Sequence, residues 1–592
     1  MADASPPPAG ASADASQAKI LNVNVGILGH VDSGKTSLVK ALSTTLSTAA
    51  LDKHPDSRKR GITLDLGFSN FQIDVPAERK KDFPGFDKIQ FTLVDCPGHA
   101  SLIKTVIGGA AIIDFMVLVI DVNKGIQTQT AECLVIGEIL SEHMIIALNK
   151  VDLIPKEKRE KKISKMKKTL QAVFKRTKFG GGIPMVPTVA APGGGLLHKE
   201  AGANSGSADI SELVGVLVGR LTIPKRISRG NFRFAVDHCF QIKGQGTIMT
   251  GTVLEGTVSV NDPIEIPSLG IERKIKSMQM FRKPVKSASQ GDRVGICVTN
   301  LDAKLLERGI ACSPKIIPSI SAAVACVNKV RFFKGEVRTD SKFHCTIGHS
   351  TVMATAHFFG NEVEAPRKQD PKEEKADKKK DGDKKKKKKK VPKPYQEVQY
   401  PAEFDKEKDY AWHEQLLADS KDHPPGSQFA LLKFEKPVTC PSNSVIIGSK
   451  LDVSTDAKLC RIAFSGKLLS SFKWDPKELE TFKIFKMRSR VGTVERLQDD
   501  YTLIGKGMFT KETDLTHFIG LRVRLDNGLE GTISSAFGQT GKFKVSFVNR
   551  IPEDMIQGTE GKKKKQKRTI HSKITLLLKK YVFATDRKRL LQ

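Results

Sequence analysis

The sequence predicts a multidomain chain in which an α/β domain with a mostly parallel sheet is followed by three β-barrel-type domains. Three observations carry this. Strands and helices alternate from Leu21 to about Thr222, the pattern of a parallel sheet covered on both faces. Within that stretch Gly29-His30-Val31-Asp32-Ser33-Gly34-Lys35-Thr36 fits the phosphate-loop pattern GxxxxGKT, between a strand and a helix. After Pro224 the texture changes to short β-rich runs broken by glycine turns.

Leu21–Leu28 reads as the first buried strand, and Leu38, Ala41 and Leu42 mark the helix behind the loop. Phe91–Val94, Phe115–Asp121 and Met144–Leu148 are apolar runs ending in polar residues, as strands buried on both faces require. Ala131–Leu140 reads as a helix. So does Glu157–Thr177, where Ile163, Met166, Leu170, Val173 and Phe174 recur at helical spacing. Ligands of such a sheet sit at the C-terminal ends of its strands. Phe232–Ile242, Ile248–Leu254, Pro263–Ile266 and Gly291–Val298 form a first small barrel, up to about Pro314. A second β-rich region starts near Ile317. It is interrupted by Glu362–Lys393, which is poor in apolar residues and holds the unbroken run Lys384–Lys390; disorder is expected there. Strands resume at Gln428–Phe434. From about Met487 a last β-rich unit uses Arg490–Val494, Leu521–Leu525, Gly531–Ser534 and Lys542–Phe547, and ends in a basic tail that includes Lys562–Arg568. The resulting map is a disordered start over 1–18, then domains over 19–222, 223–316, 317–483 with its insertion at 362–393, and 484–592.

The bulk composition fits. A chain of 592 residues with 39% apolar residues supports several packed cores, and a net charge of +32 points to a polyanionic partner. Nine scattered cysteines with no CxxC pair argue against a zinc site or a disulfide framework. Met1–Gln17 has no basic start and no apolar run, so a signal peptide is not expected. The longest apolar stretch, Leu102–Ile120, is broken by Lys104 and Asp114, so no membrane span or membrane partner is expected.

The chemistry sits in four short segments. In the phosphate loop, Gly29, Asp32, Ser33 and Gly34 let the backbone wrap a phosphate. Lys35 reaches its outer oxygens, the Thr36 hydroxyl suits Mg²⁺, and Ser37 follows on the helix N-terminus. Asp95-Cys96-Pro97-Gly98-His99 follows a strand: Asp95 can hold the magnesium, Gly98 can offer its N–H to a γ-phosphate, and His99 can orient water. Asn149-Lys150-Val151-Asp152 follows another. Its amide and carboxylate can grip guanine, the Lys150 stem can cover the base, and Ala190 is added to these contacts. Arg60-Gly61-Ile62-Thr63 lies between, where Thr63 would complete the metal shell from a switch loop.

GHVDSGKT, RGIT, DCPGH and NKVD, in that order, resemble the translational GTPases of the elongation factor Tu family. The resemblance implies a P-loop GTPase domain with GTP/GDP and Mg²⁺, in which Val31 and Ile62 form a hydrophobic gate screening His99 from the water. Ser33 stands where bacterial members usually have His. Lys243–Ile248 and Gly251–Gly256 are similar to the family's second domain. Gly61–Phe68 and Leu102–Gly109, together with a fourth domain of about a hundred residues, resemble the selenocysteine-specific branch, in its eukaryotic form. That branch implies delivery of selenocysteinyl-tRNA to the ribosomal A site at recoded UGA codons. It also implies an RNA hairpin and its binding protein as further partners, a monomer, and a cytoplasmic location. Nuclear entry is left open by the lysine runs, which are equally RNA contacts or solvated loops. The resemblance further places Asp237, His238 and Arg293 around the aminoacyl pocket. A selenol ionises more readily than a thiol, whose reference pKa is about 8.5, so Arg293 with His238 would supply donors to an anion. A surface ion pair of Arg293 with Asp237 or Asp292 is the other reading. Basic residues mixed with Phe509, Phe537 and Phe543 in the last domain suit RNA, unless the aromatics are core. Two alternatives remain: a general aminoacyl- or initiator-tRNA carrier, and an RNA-bound regulatory GTPase that carries no tRNA.

Overall fold

The structure is a computed structural model. It describes residues 19–583 except 44, 47–65, 98–111, 191–206, 227–228, 243, 349, 362–397, 422, 453–459, 527, 539, 553–556 and 559–567. The expectations for 1–18, Ile62, Thr63, Gly98, His99, the 362–393 insertion and Lys384–Lys390, and for all of Lys562–Arg568 but its last residue, lie outside the described residues.

The first unit is a seven-stranded sheet. Its strands are β1 (Ile20–Gly29), β2 (Thr45–Leu46), β3 (Gly67–Asp74), β4 (Lys88–Asp95), β5 (Phe115–Asp121), β6 (His143–Asn149) and β7 (Met185–Pro187), in the order β2-β3-β4-β1-β5-β6-β7. β1 runs parallel to β4 and β5, and β5, β6 and β7 continue in parallel. β3 and β2 add an antiparallel edge that the apolar runs did not announce. β5 is buried at every position because helices cover both faces. On one face Leu38, Val39 and Leu42 of α1 (Lys35–Leu42) pack on Val23, Val25 and Val117. On the other, α2 (Thr128–Leu140) and α3 (Lys156–Phe174) bring Cys133, Ile136, Leu170 and Phe174 against Met116, Leu118 and Ile146. α4 (Ser207–Arg220) completes the first face.

Three closed barrels follow. In each, six strands close because the first and last pair, which removes open sheet edges. The first is closed by Pro263–Ile266 against Ile271–Met280, the second by Ser341–Ile347 against Ser350–Gly360. The third is closed by Ile484–Leu497 against Lys573–Tyr581. That last strand alternates Ile574, Leu576 and Leu578 inward, a period-two signal passed over in the basic tail. The second and third barrels are spliced: Tyr410–His413 pairs antiparallel with the strand at 350–360 and parallel with the start of Ile484–Leu497.

Candidate nucleotide and aminoacyl sites

The phosphate loop is shaped by backbone angles its sequence allows. Gly34 sits at φ +92°, and a Cβ there would stand 2.2 Å from Asn149 Nδ2. Asp32 adopts φ 59°, a left-handed position that Asp tolerates. Lys35 Nζ donates to the His30 carbonyl at 2.8 Å across the loop. Burial pulls its amine below the usual range, opposed by Asp95. The Thr36 hydroxyl donates to Asp95 Oδ2 at 2.6 Å, and Asp95 is fully buried. The two side chains predicted to hold magnesium are therefore together. A hydroxyl beside a carboxylate is the oxygen donor set that Mg²⁺ takes.

Asn149 behaves differently from expectation. Its Nδ2 donates to Ser33 O at 2.9 Å, and its Oδ1 accepts from Ala190 N at 3.1 Å. At 2% exposure it braces the phosphate loop against the turn after β7. The predicted grip of its amide on the base edge is corrected to this support role, because both polar atoms are engaged by the chain itself. Ala190 likewise contributes its backbone to the brace. Lys150 takes a left-handed φ of 66°, with Nζ 3.2 Å from Asp121. Asp152 lies half-buried in the following turn, without such engagement among the described bonds. Ser33 is buried, and only its carbonyl joins this network.

The second predicted cluster lies where the first barrel meets the edge of the sheet. Arg293 Nη1 donates to Asp237 Oδ2 at 2.5 Å, with side-chain exposures of 5% and 1%. Thr252 Oγ1 is 3.5 Å from the same nitrogen. The surface-pair reading is thus overturned: the partner is Asp237, and the pair is buried. Asp292 instead accepts from Asn22 and from Ser289 N. The guanidinium lies 3.0 Å over the Phe68 ring, and His238 meets that ring edge-on at 6.5 Å. Phe68 belongs to β3, directly after the RGIT segment; it was quoted only within a longer resemblance, although its contacts place it in this cluster. Arg293 Nη2 and Asp237 Oδ1 are buried without hydrogen-bond partners among the described residues. Burial and the neighbouring Arg293 charge lower the His238 pKa below 6.5, with Asp237 opposing. His238 is accordingly a neutral ring at neutral pH, not the second cation.

In the last barrel, Phe509 and Phe543 are core residues, at 6% and 0% exposure, so base stacking on them is excluded. Phe537 is half-buried, with Arg496 and Lys544 over its ring.

Comparison with known proteins agrees with this geometry. The model of the elongation factor Tu GTP-binding domain matches residues 21–241, and that of elongation factor Tu domain 2 matches 246–311. The third domain of eukaryotic selenocysteine-specific elongation factors matches 324–466, and the C-terminal RIFT domain of eEFSec matches 480–587. The mouse selenocysteine-specific elongation factor is 46% identical over 551 residues, covering 89% of this chain and 88% of its own. This chain belongs to the selenocysteine-specific elongation factor family. It is a translational GTPase that uses GTP and GDP. The factor of the same name from Methanocaldococcus jannaschii is 35% identical over 56% of this chain and 66% of its own. Translation elongation factor SelB from Methanococcus maripaludis, crystallised with the GTP analogue GppNHp, shares the fold at a TM-score of 0.66 and 22% identity, covering 95% of this chain and all of its own. No helix among the described residues is long and apolar enough to cross a membrane.

Proposed function

We propose that this family member binds selenocysteinyl-tRNA with GTP, delivers it to the ribosomal A site at recoded UGA codons, and hydrolyses GTP there. The observation that carries the aminoacyl specificity is the buried Arg293–Asp237 pair, whose Arg293 Nη2 has no partner among the described residues. An isolated buried donor costs roughly 1–3 kcal/mol, so an anionic selenolate arriving there relieves a standing penalty. His238 adds a neutral ring nitrogen, and Phe68 walls the guanidinium.

At the nucleotide, Thr36 and Asp95 hold Mg²⁺ with Thr63, and the ion supplies charge neutralisation at the phosphates. Lys35 contributes a second positive charge, and the loop of Gly29, Asp32, Ser33 and Gly34 positions the phosphate chain. Ser37 and the Gly98 N–H add contacts, and Asp152 recognises the guanine edge with Lys150 over the base. His99 orients the attacking water behind a gate of Val31 and Ile62. The working division into domains at 222, 316 and 483 follows the sequence map. Further partners are the selenocysteine-insertion RNA hairpin and its binding protein. The protein acts as a monomer in the cytoplasm, with nuclear entry through its lysine runs.

The test is competition on the full chain with GTP bound. Selenocysteinyl-tRNA should displace a pool of ordinary aminoacyl-tRNAs. Equal affinity for all would support a general carrier, and affinity independent of aminoacylation would support the regulatory GTPase.

A further inference from the structure

Helix α2 touches the phosphate loop at one end and the second barrel along its side. At its first turn, Gln129 Oε1 accepts from the Val31 backbone N–H at 3.2 Å. One turn later the Cys133 thiol takes a backbone hydrogen bond from Gly29. These are residues i and i+4, so they share the face that looks at the loop. Between them, Glu132 turns to the second barrel. Its Oε1 accepts from Arg461 N at 3.0 Å and from Nε at 2.9 Å, while Oε2 accepts from Nη2 at 2.9 Å. Both side chains are nearly sealed from solvent, at 4% and 8% exposure. Around them Ile136 and Cys133 share one core with Ile447, Cys460 and Ile462 of that barrel. A second pair, Glu138 with Arg331 at 2.6 Å, lies further along the same helix.

We propose that Gln129 is a positioning residue for GTP hydrolysis, fixing the Val31 side of the gate, and that Arg461 sets Gln129 through Glu132 so that docking of the second barrel tightens the gate. The physical argument is short. A helix turn moves as one body, because its backbone hydrogen bonds couple residues three and four apart. Glu132 is held by three charge-assisted bonds in a dry core, a far stiffer anchor than a surface pair. Gln129, one turn away, cannot then drift from Val31 without unwinding the helix start. Gln127 and Thr130 also close that start reciprocally, side chain to backbone. Val31 carries no side-chain hydrogen bond of its own; its backbone N–H is the only handle by which a neighbour can hold it in place. The proposal rests on the reading of Val31 as one leaf of the gate over His99.

The experiment measures ribosome-free GTP turnover of the full chain, together with GDP affinity and thermal midpoint, for wild type, Gln129→Ala, Gln129→Glu and Val31→Ala. It adds the pair variant Glu132→Gln/Arg461→Met, which removes both charges and so leaves no buried ion alone. Gln129→Ala should raise intrinsic turnover about three- to tenfold, the range to which the net worth of one neutral hydrogen bond corresponds. Gln129→Glu keeps the acceptor oxygen and should restore the wild-type rate. The pair variant should raise turnover similarly, and adding Gln129→Ala to it should give no further increase, because both act on one element. If Val31→Ala raises turnover and Gln129→Ala does not, the proposal is overturned and the gate stands. If Val31→Ala leaves turnover unchanged, the gate reading fails and the proposal fails with it. A fall in thermal midpoint and GDP affinity without faster turnover would make Gln129 merely structural, also overturning it. Additive effects of the pair variant and Gln129→Ala would sever Arg461 from the gate.

Discussion

Replacing Arg293 tests whether its guanidinium selects the aminoacyl group, and the structure decides which replacement is informative. Arg293→Ala would leave Asp237, at 1% exposure, as a buried carboxylate without its partner. Breaking such a pair from one side typically costs about 3–5 kcal/mol, so that variant tests folding more than selection. Arg293→Lys keeps a cation for Asp237 but has no planar fork. It loses the Nη2 that stands without a partner among the described residues, and the flat face lying 3.0 Å over Phe68. A charge-assisted hydrogen bond from Nη2 to a selenolate is worth roughly 1.5–3 kcal/mol, or about ten- to hundredfold in affinity. Ser-tRNA on the same tRNA body offers a neutral, smaller hydroxyl and gains little from that donor. Arg293→Lys should therefore weaken binding of selenocysteinyl-tRNA by about tenfold or more, and leave seryl-tRNA nearly unchanged. GTP affinity should hold, because the nucleotide residues lie at the other strand ends of the sheet. The assay is protection of each aminoacyl ester from hydrolysis in the presence of GTP. Equal weakening of both tRNAs would make Arg293 a structural contact and move selection into the tRNA body. No change in either would refute the selenolate reading.

Three further outcomes are expected. Asp152→Asn should shift preference from GTP to xanthosine triphosphate, measured by nucleotide competition; continued preference for GTP would remove Asp152 from base recognition. His99→Ala should retain GTP and tRNA binding but lose ribosome-stimulated turnover by roughly 10²-fold, the scale of a lost positioning or proton-handling group; normal stimulated single-turnover rates would contradict this. The His413 ring is lowered from 6.5 to about 4, first by burial and then by His423, with Gln428 opposing. Its folded pKa is depressed, so the unfolded chain takes up the proton first as pH falls. Its stabilising contribution is complete above 6.5 and is lost between 6.5 and about 4. Denaturation midpoints across that window should fall more steeply for wild type than for His413→Gln; parallel curves would exclude His413 as a source of acid sensitivity.

The parts legible in the sequence are those whose physics is local. A phosphate loop needs glycines, a lysine and a hydroxyl within eight positions, and its strand and helix flank it directly. β5 announced itself because a strand buried on both faces must be apolar throughout. The same locality explains the misses. β3 carries Ser69, Asn70 and Gln72 between its aromatics, and as an antiparallel edge it needs no continuous apolar run. The closing strand Lys573–Tyr581 hid its inward Ile574, Leu576 and Leu578 among lysines that face outward. Asn149 was read as facing the base because its motif does not reveal that Ser33 O and Ala190 N reach it first.

By itself, the sequence determined the order of the units, the α/β character of the first, the β character of the rest, and the residue types that gather at the phosphates. Each follows from side-chain periodicity or from chemistry within one short segment. Only the tertiary structure decided that Arg293 is buried on Asp237 and roofed by Phe68 from another domain, that Phe509 and Phe543 are core, and that Glu132 clamps Arg461. Those last two residues are 329 positions apart. Nothing in the neighbourhood of either encodes the other. Whether a charged side chain is a solvated surface group or a sealed, directional contact is set by what the rest of the chain packs around it.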